Sequence, residues 1–79
     1  MDEKQKKKFH WVNDSVKIDF KLPKYMLNLM KDTEEYDLAN DYGSYVNYAD
    51  TIDVQSKILY TEGYLSKKQW DTMVRRYQL

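Results

Sequence analysis

The chain has 79 residues, no cysteine and a formal net charge of zero, so it is long enough for one small domain and holds no disulfide or thiolate metal site. Its hydrophobic content of 42% is too high for a disordered chain, and two glycines with one proline leave little material for a loop-rich or all-β fold. No apolar stretch approaches the roughly 20 residues that cross a membrane. The charged segment Met1–Lys8 lacks the apolar core of a signal peptide. We therefore expect a cytoplasmic protein without membrane contact.

An alternating segment, Ser15–Leu22, follows the charged start of the chain. Strict alternation of apolar and charged side chains predicts a half-buried β-strand over this segment. Phe9–Val12, followed by the turn residues Asn13–Asp14, would form the other arm of a hairpin. The alternating side chains are Val16, Ile18, Phe20 and Leu22 on one face and Lys17, Asp19 and Lys21 on the other.

Two helices are predicted next. Proline suits the first position of a helix, and apolar residues then recur near helical spacing, which predicts a first helix over Pro23–Asn40. Gly43 is expected to adopt the left-handed conformation that ends it, and Ser44 to cap the following helix. That second helix is predicted over Tyr45–Glu62, with Gly63 as its stop signal.

The third helix has the clearest local signals in the chain. Ser66 and Gln69 have the spacing of a capping box, in which each side chain satisfies the other residue's backbone N–H. Arg75 and Arg76 are expected to face water. The apolar stripe of this helix consists of Trp70, Met73, Val74 and Tyr77.

Together these elements predict an α+β fold, with a short N-terminal strand or hairpin packed on a three-helix, mainly α domain. We expect residues 1–8 to form a flexible basic tail and residues 9–79 to form a single small globular domain. The predicted core residues are Phe20, Leu22, Met26, Met30, Ile52, Leu59, Trp70 and Val74.

Charge is strongly segregated along the chain. Asp32–Ser56 contains seven acidic residues, four tyrosines and no lysine or arginine, while both flanking segments carry a basic excess. Acids near the C-terminus of the first helix oppose the helix dipole. A sequence selected for stability alone would place lysine there, so the acids indicate a functional surface.

The residue types needed for catalysis are scarce. His10 is the only histidine, no cysteine is present, and two isolated glycines cannot build a phosphate-binding loop. The acids of the middle segment do not have the spacing of a calcium loop. We therefore expect no enzyme activity, no cofactor and no metal.

One interpretation is that the acidic, tyrosine-rich helices bind a protein with a basic surface. Carboxylates fixed on helices can imitate the spacing of phosphate charges, and tyrosines supply rigid contacts. The chain is similar in size and charge pattern to small acidic inhibitors of restriction and CRISPR enzymes, which would imply a non-enzymatic inhibitor from a phage or other mobile element. The candidate contact residues are Glu34, Glu35, Asp37, Asp41, Tyr42, Tyr45, Asp50 and Asp53.

A second interpretation starts from the strand signal and the residues Leu22-Pro23, Met26 and Leu29. A strand, a helix, a glycine-containing turn and a second helix resemble the ribbon-helix-helix repressors over about Ser15 to Glu62. The resemblance implies a dimeric regulator whose paired strands enter the major groove of DNA. Lys17 and Lys21 would then contact DNA.

A third interpretation is a structural or assembly module. If the apolar stripe of the third helix is incompletely covered, it would form a helix-in-groove or dimer surface.

Overall fold

The computed structural model describes residues 9–79, and the predicted basic tail, residues 1–8, lies outside them. In the described range the chain forms three helices, α1 (Lys24–Leu38), α2 (Tyr42–Thr61) and α3 (Lys67–Tyr77), and no strand. The three predicted helices are thus present, but the predicted α+β class is wrong, because this part of the chain is all-helical. None of these helices is both long and apolar enough to cross a membrane.

The predicted strand over Ser15–Leu22 is an irregular segment in the structure. The alternation itself is real, since Val16 and Leu22 are buried, Ile18 and Phe20 are partly buried, and the charged residues between them are exposed. A segment that crosses a helical surface can bury every second side chain without pairing with another strand. The same alternation therefore fits a β-strand and an irregular extended segment equally well. A β-strand also requires a neighbouring strand to which its backbone can hydrogen-bond.

The predicted hairpin partner, Phe9–Val12, uses its backbone N–H groups elsewhere. The N–H of His10 donates to Asp37 Oδ1 at 2.5 Å, and those of Trp11 and Val12 donate to Asp37 Oδ2 at 2.9 and 2.6 Å. Asp37 is fully buried in α1. Three consecutive donors around one carboxylate form an anion-binding concavity of the backbone, which replaces the expected strand ladder.

The helix ends agree with the local signals at α3 and differ at the turn between α1 and α2. The capping box of Ser66 and Gln69 is confirmed, with N–H···O distances of 2.9 and 3.1 Å. Gly63, the predicted stop signal of the second helix, follows the end of α2 and has a positive φ of +84°. The left-handed residue after α1 is Asn40, with φ of 59°, rather than Gly43. Asp41 then caps α2 in place of Ser44, by accepting from the Ser44 N–H at 3.2 Å.

The second helix is the centre of the packing. It contacts both α1 and α3, whereas the backbones of α1 and α3 do not approach each other. Buried apolar residues from all three helices and from the irregular segment form one core cluster. Leu22, Met26, Met30, Ile52 and Leu59 are confirmed as core residues. Phe20 is partly buried against the cluster, whereas Trp70 and Val74 are partly buried and do not belong to it. The buried apolar residues missing from the prediction are Val12, Val16, Tyr45, Ala49, Leu65, Met73 and Tyr77.

A polar link joins α1 to α3 where their backbones stay apart. Glu34 Oε2 accepts from the Tyr77 hydroxyl at 2.5 Å and lies 3.2 Å from Arg76 Nη2. Arg76 Nη1 also donates to the carbonyl of Val16 at 2.7 Å. The expectation that Arg76 faces water is therefore wrong, because this side chain is buried and holds three parts of the chain together.

The Asp37 carboxylate yields the first prediction. In an Asp37→Ala variant three backbone donors lose their acceptor inside the protein, so we expect the free energy of unfolding to fall by about 3 kcal/mol or more. Urea unfolding followed by circular dichroism measures this change. Glu35→Ala, an exposed acid on the same helix, is the matched control and should change stability by less than about 0.5 kcal/mol. A wild-type urea midpoint for Asp37→Ala would contradict the structural role of the carboxylate.

The second prediction concerns Tyr45, whose hydroxyl donates to the carbonyl of Tyr77 at 2.9 Å. Burial, followed by the charge of Asp37, raises the pKa of Tyr45 from 10.0 to about 12. The folded state therefore favours the neutral phenol. Its contribution to stability is complete below the unfolded pKa of 10.0 and is lost as the pH rises through about 12.

Urea unfolding between about pH 8 and about pH 12, the range in which tyrosines titrate, tests the direction of this effect. The wild-type protein should lose stability at the alkaline end, and Tyr45→Phe should lose less. Tyr42→Phe, at an exposed ring, serves as the control and should follow the wild type. Identical alkaline losses in Tyr45→Phe and the wild-type protein would show that Tyr45 does not carry the effect.

Candidate binding groove

The acids predicted to form one binding surface lie in different environments. Asp37 is fully buried and Glu34 is largely occupied by Arg76 and Tyr77, so both serve internal contacts. Glu35 and Asp41 are exposed, and Asp41 also caps α2. The placement of Asp37 on an outer surface is therefore corrected. Its spacing of three residues from Glu34 reflects one inward-facing side of α1 rather than a row of solvated charges.

The other predicted residues come together in a groove between α2 and the end of α3. This groove has a volume of about 320 Å³. Four of the eight predicted contact residues lie in it: Tyr42, Tyr45, Asp50 and Asp53. The remaining lining residues are Trp11, Val46, Ala49, Tyr77, Gln78 and Leu79. Its size is at the lower end of the range that holds a small ligand or a few side chains of a partner.

Aromatic rings form one end of the groove. The ring of Trp11 lies 5.1 Å from that of Tyr42 and 5.1 Å from that of Tyr45, with interplanar angles of 59° and 38°. Such tilted arrangements at this separation are favourable for aromatic pairs. Tyr42 is 60% exposed, so its ring is open to a partner, whereas Tyr45 is buried and forms the floor.

Backbone and side-chain hydrogen bonds hold this aromatic end in place. Trp11 is fixed by its N–H on Asp37, and its carbonyl accepts from the side-chain amide of Gln78. Tyr45 is fixed by its hydrogen bond to Tyr77. These bonds fix the backbone at Trp11 and the ring of Tyr45, so a ligand at this end would order fewer groups on binding.

Carboxylates form the opposite end. Asp50 and Asp53 are exposed on α2 and lie one helical turn apart. Among residues 9–79, neither carboxylate forms an ion pair with a lysine or arginine. The groove therefore places two solvated negative charges beside aromatic rings.

A second depression of about 360 Å³ continues the groove along α3 and shares Asp53 and Leu79 with it. Its aromatic residue, Trp70, stacks on Tyr60 with ring centroids 4.7 Å apart and an interplanar angle of 15°. The indole N–H of Trp70 is buried without an acceptor among the described residues. Lys67 and Asp71 also line this depression, and Asp71 lies 3.9 Å from Arg75.

Trp11 is the main groove residue that sequence reasoning missed. It was assigned to a hairpin arm beside His10, and no local pattern connects it to the second helix. The buried Asp37 brings it there from 26 residues away. His10 does not line the groove and contacts Asp37 instead, with Nδ1 2.9 Å from the Asp37 carbonyl oxygen.

The residues of the DNA-binding interpretation, Lys17 and Lys21, are exposed, and Lys17 lies 3.7 Å from Asp14. They belong to the irregular segment, and the described part of the chain has no strand to pair with a dimer mate. The strand that this resemblance requires is therefore absent from residues 9–79, whereas the two helices joined by a short turn are present. For the assembly interpretation, two of the four stripe residues of α3, Met73 and Tyr77, are already buried in the core.

Comparisons with protein-family models, with curated protein sequences and with solved structures find no match for this chain. The function proposed below therefore rests on the geometry and the charges of the groove.

Proposed function

We propose that this protein is a small non-enzymatic binding protein whose groove between α2 and the end of α3 engages a basic surface of another protein. The observation that supports it is the combination of partly open aromatic rings with the exposed carboxylates of Asp50 and Asp53 in one groove. Aromatic residues are enriched at the centres of protein-binding surfaces, and polar groups form the rims of such surfaces.

The charge of the groove favours proteins that handle nucleic acids as partners. Such proteins carry lysine and arginine in the grooves that hold phosphates, and an acidic surface would be attracted to the same residues. Occupation of such a groove would exclude the nucleic acid and so inhibit the partner. An origin in a phage or another mobile element stays a prediction from the sequence.

The groove offers recognition groups rather than a catalytic arrangement. Among residues 9–79, its lining contains no histidine, cysteine, serine or lysine. Asp50 and Asp53 are both exposed on the rim of the groove.

The third prediction tests the groove by charge reversal. Wild-type protein and an Asp50→Lys/Asp53→Lys variant are immobilised and exposed to the heparin-retained, nucleic-acid-binding fraction of a nuclease-treated cell extract. Each captured protein is then purified and its affinity is measured by calorimetry. We expect the variant to bind at least about tenfold more weakly than the wild-type protein, because two attractive charges become repulsive. Added DNA should compete with the wild-type protein for the partner.

Asp32→Lys/Glu35→Lys is the matched control, with the same change in net charge at two exposed acids of α1. It should retain wild-type affinity, and circular dichroism should show all three proteins folded. A partner that loses affinity for the α1 variant and keeps it for the groove variant would move the binding surface to α1. Equal affinities for both variants and the wild type would refute the proposal. Charge reversal at Glu34 or Asp37 is unsuitable, because it would break internal contacts of the fold.

A further inference from the structure

We infer that the groove recognises an extended, arginine-containing segment of its partner, with two arginines four residues apart. One guanidinium would stack on the Trp11 and Tyr42 rings, and the other would pair with the carboxylates of Asp50 and Asp53. This inference rests on the proposed function and specifies the chemistry of the partner.

The aromatic end distinguishes arginine from lysine. A guanidinium is planar and weakly hydrated, so it stacks on an aromatic face more readily than the compact, strongly hydrated ammonium of lysine. The open ring of Tyr42 and the partly exposed ring of Trp11 offer such faces. The charge of Asp37 lies behind Trp11, where its carboxylate accepts from the Trp11 backbone at 2.9 Å, and adds a negative potential at this end.

The acidic end also suits a guanidinium. Asp50 and Asp53 are one turn apart, so a fork of N–H donors can reach one carboxylate with two hydrogen bonds or contact both. Lysine would act there as a point charge without the same directional bonds. Both acids are solvated, so the pairing contributes specificity and a modest share of affinity.

The separation of the two ends sets the spacing of the arginines. Asp50 and Asp53 follow Tyr42 by eight and eleven positions on α2, which places them about 12 and 16 Å further along the helix axis. An extended chain advances about 3.3 Å per residue and presents alternate side chains to one face. Side chains four residues apart therefore lie on the same face, about 13 Å apart, which matches the distance between the aromatic and acidic ends.

The shape of the groove favours a chain over a single amino acid. The second depression continues from Asp53 and Leu79 along α3, so a bound segment has a path beyond the acidic end. Val46 and Ala49 line the region between the two ends and offer an apolar surface to the intervening residues. Small residues between the arginines would pass closest to this surface.

Titration of isotopically labelled protein with end-capped peptides, followed by nuclear magnetic resonance, tests the inference. The probes are Arg-Gly-Ser-Gly-Arg, its Lys-Gly-Ser-Gly-Lys counterpart, and Arg-Arg-Gly-Ser-Gly, which has the same charge with adjacent arginines. We expect the first peptide to bind about threefold or more tightly than each of the others. It should shift the signals of the Trp11 indole and of the Asp50 and Asp53 amides.

Two groove variants and one control separate the contributions of the ends. Tyr42→Leu should remove the preference for arginine over lysine, and Asp53→Asn should reduce the dependence on spacing. Tyr25→Leu, another exposed tyrosine but on α1, should leave both preferences unchanged.

Equal affinities for the arginine and lysine peptides, no effect of spacing, or shifts outside the groove would each overturn the inference. If the peptides fail in this way while the captured basic protein still depends on Asp50 and Asp53, only the inference is lost and the proposed function stands. If neither the captured protein nor any peptide depends on those two acids, both are refuted.

Discussion

The buried carboxylate of Asp37 is the interaction on which the rest of the structure depends. A charge inside a protein is very costly unless hydrogen bonds replace its hydration. Here three successive backbone N–H groups supply that replacement, and each bond to a charged acceptor is stronger than a neutral one. The contact fixes Phe9–Val12 against α1, and it thereby excludes the hairpin and delivers Trp11 to α2. One side chain thus decides both the class of the fold and one wall of the groove.

Glu34 and Asp37 show that an acidic segment need not be an acidic surface. Glu34 neutralises the buried Arg76 and accepts from Tyr77, and Asp37 binds backbone, so two of the seven acids in Asp32–Ser56 act inside the molecule. Their position near the C-terminus of α1, unfavourable for the helix dipole, is offset by these contacts. The charges that remain at the surface are divided among α1, the N-cap of α2 and the rim of the groove on α2.

Local signals in the sequence were sufficient to locate the helices but not their partners. The capping box at Ser66 and the stop at Gly63 are short-range interactions, and the structure contains both. The strand was mispredicted because a segment can bury every second side chain without forming hydrogen bonds to a neighbouring strand. Half of the predicted contact residues do share one groove, since Tyr42 to Asp53 lie on a single helix whose register follows from periodicity. Trp11 was missed because its position depends on the hydrogen bond from its backbone N–H to Asp37. The pattern of apolar and polar side chains along the sequence does not predict a contact made by the backbone.

The hydrogen bond between Gln78 and Trp11 has a consequence for the thermodynamics of the whole fold. It joins residues 67 positions apart, and the groove between them is completed by α2. The groove therefore exists only when the segment Phe9–Val12, α2 and the end of α3 are assembled together. Any molecule held there binds the folded chain and not the unfolded one, so its binding energy adds to folding stability in proportion to the logarithm of its concentration. A protein this small, with a thin core, would be most resistant to unfolding and proteolysis when a molecule that binds the groove is abundant.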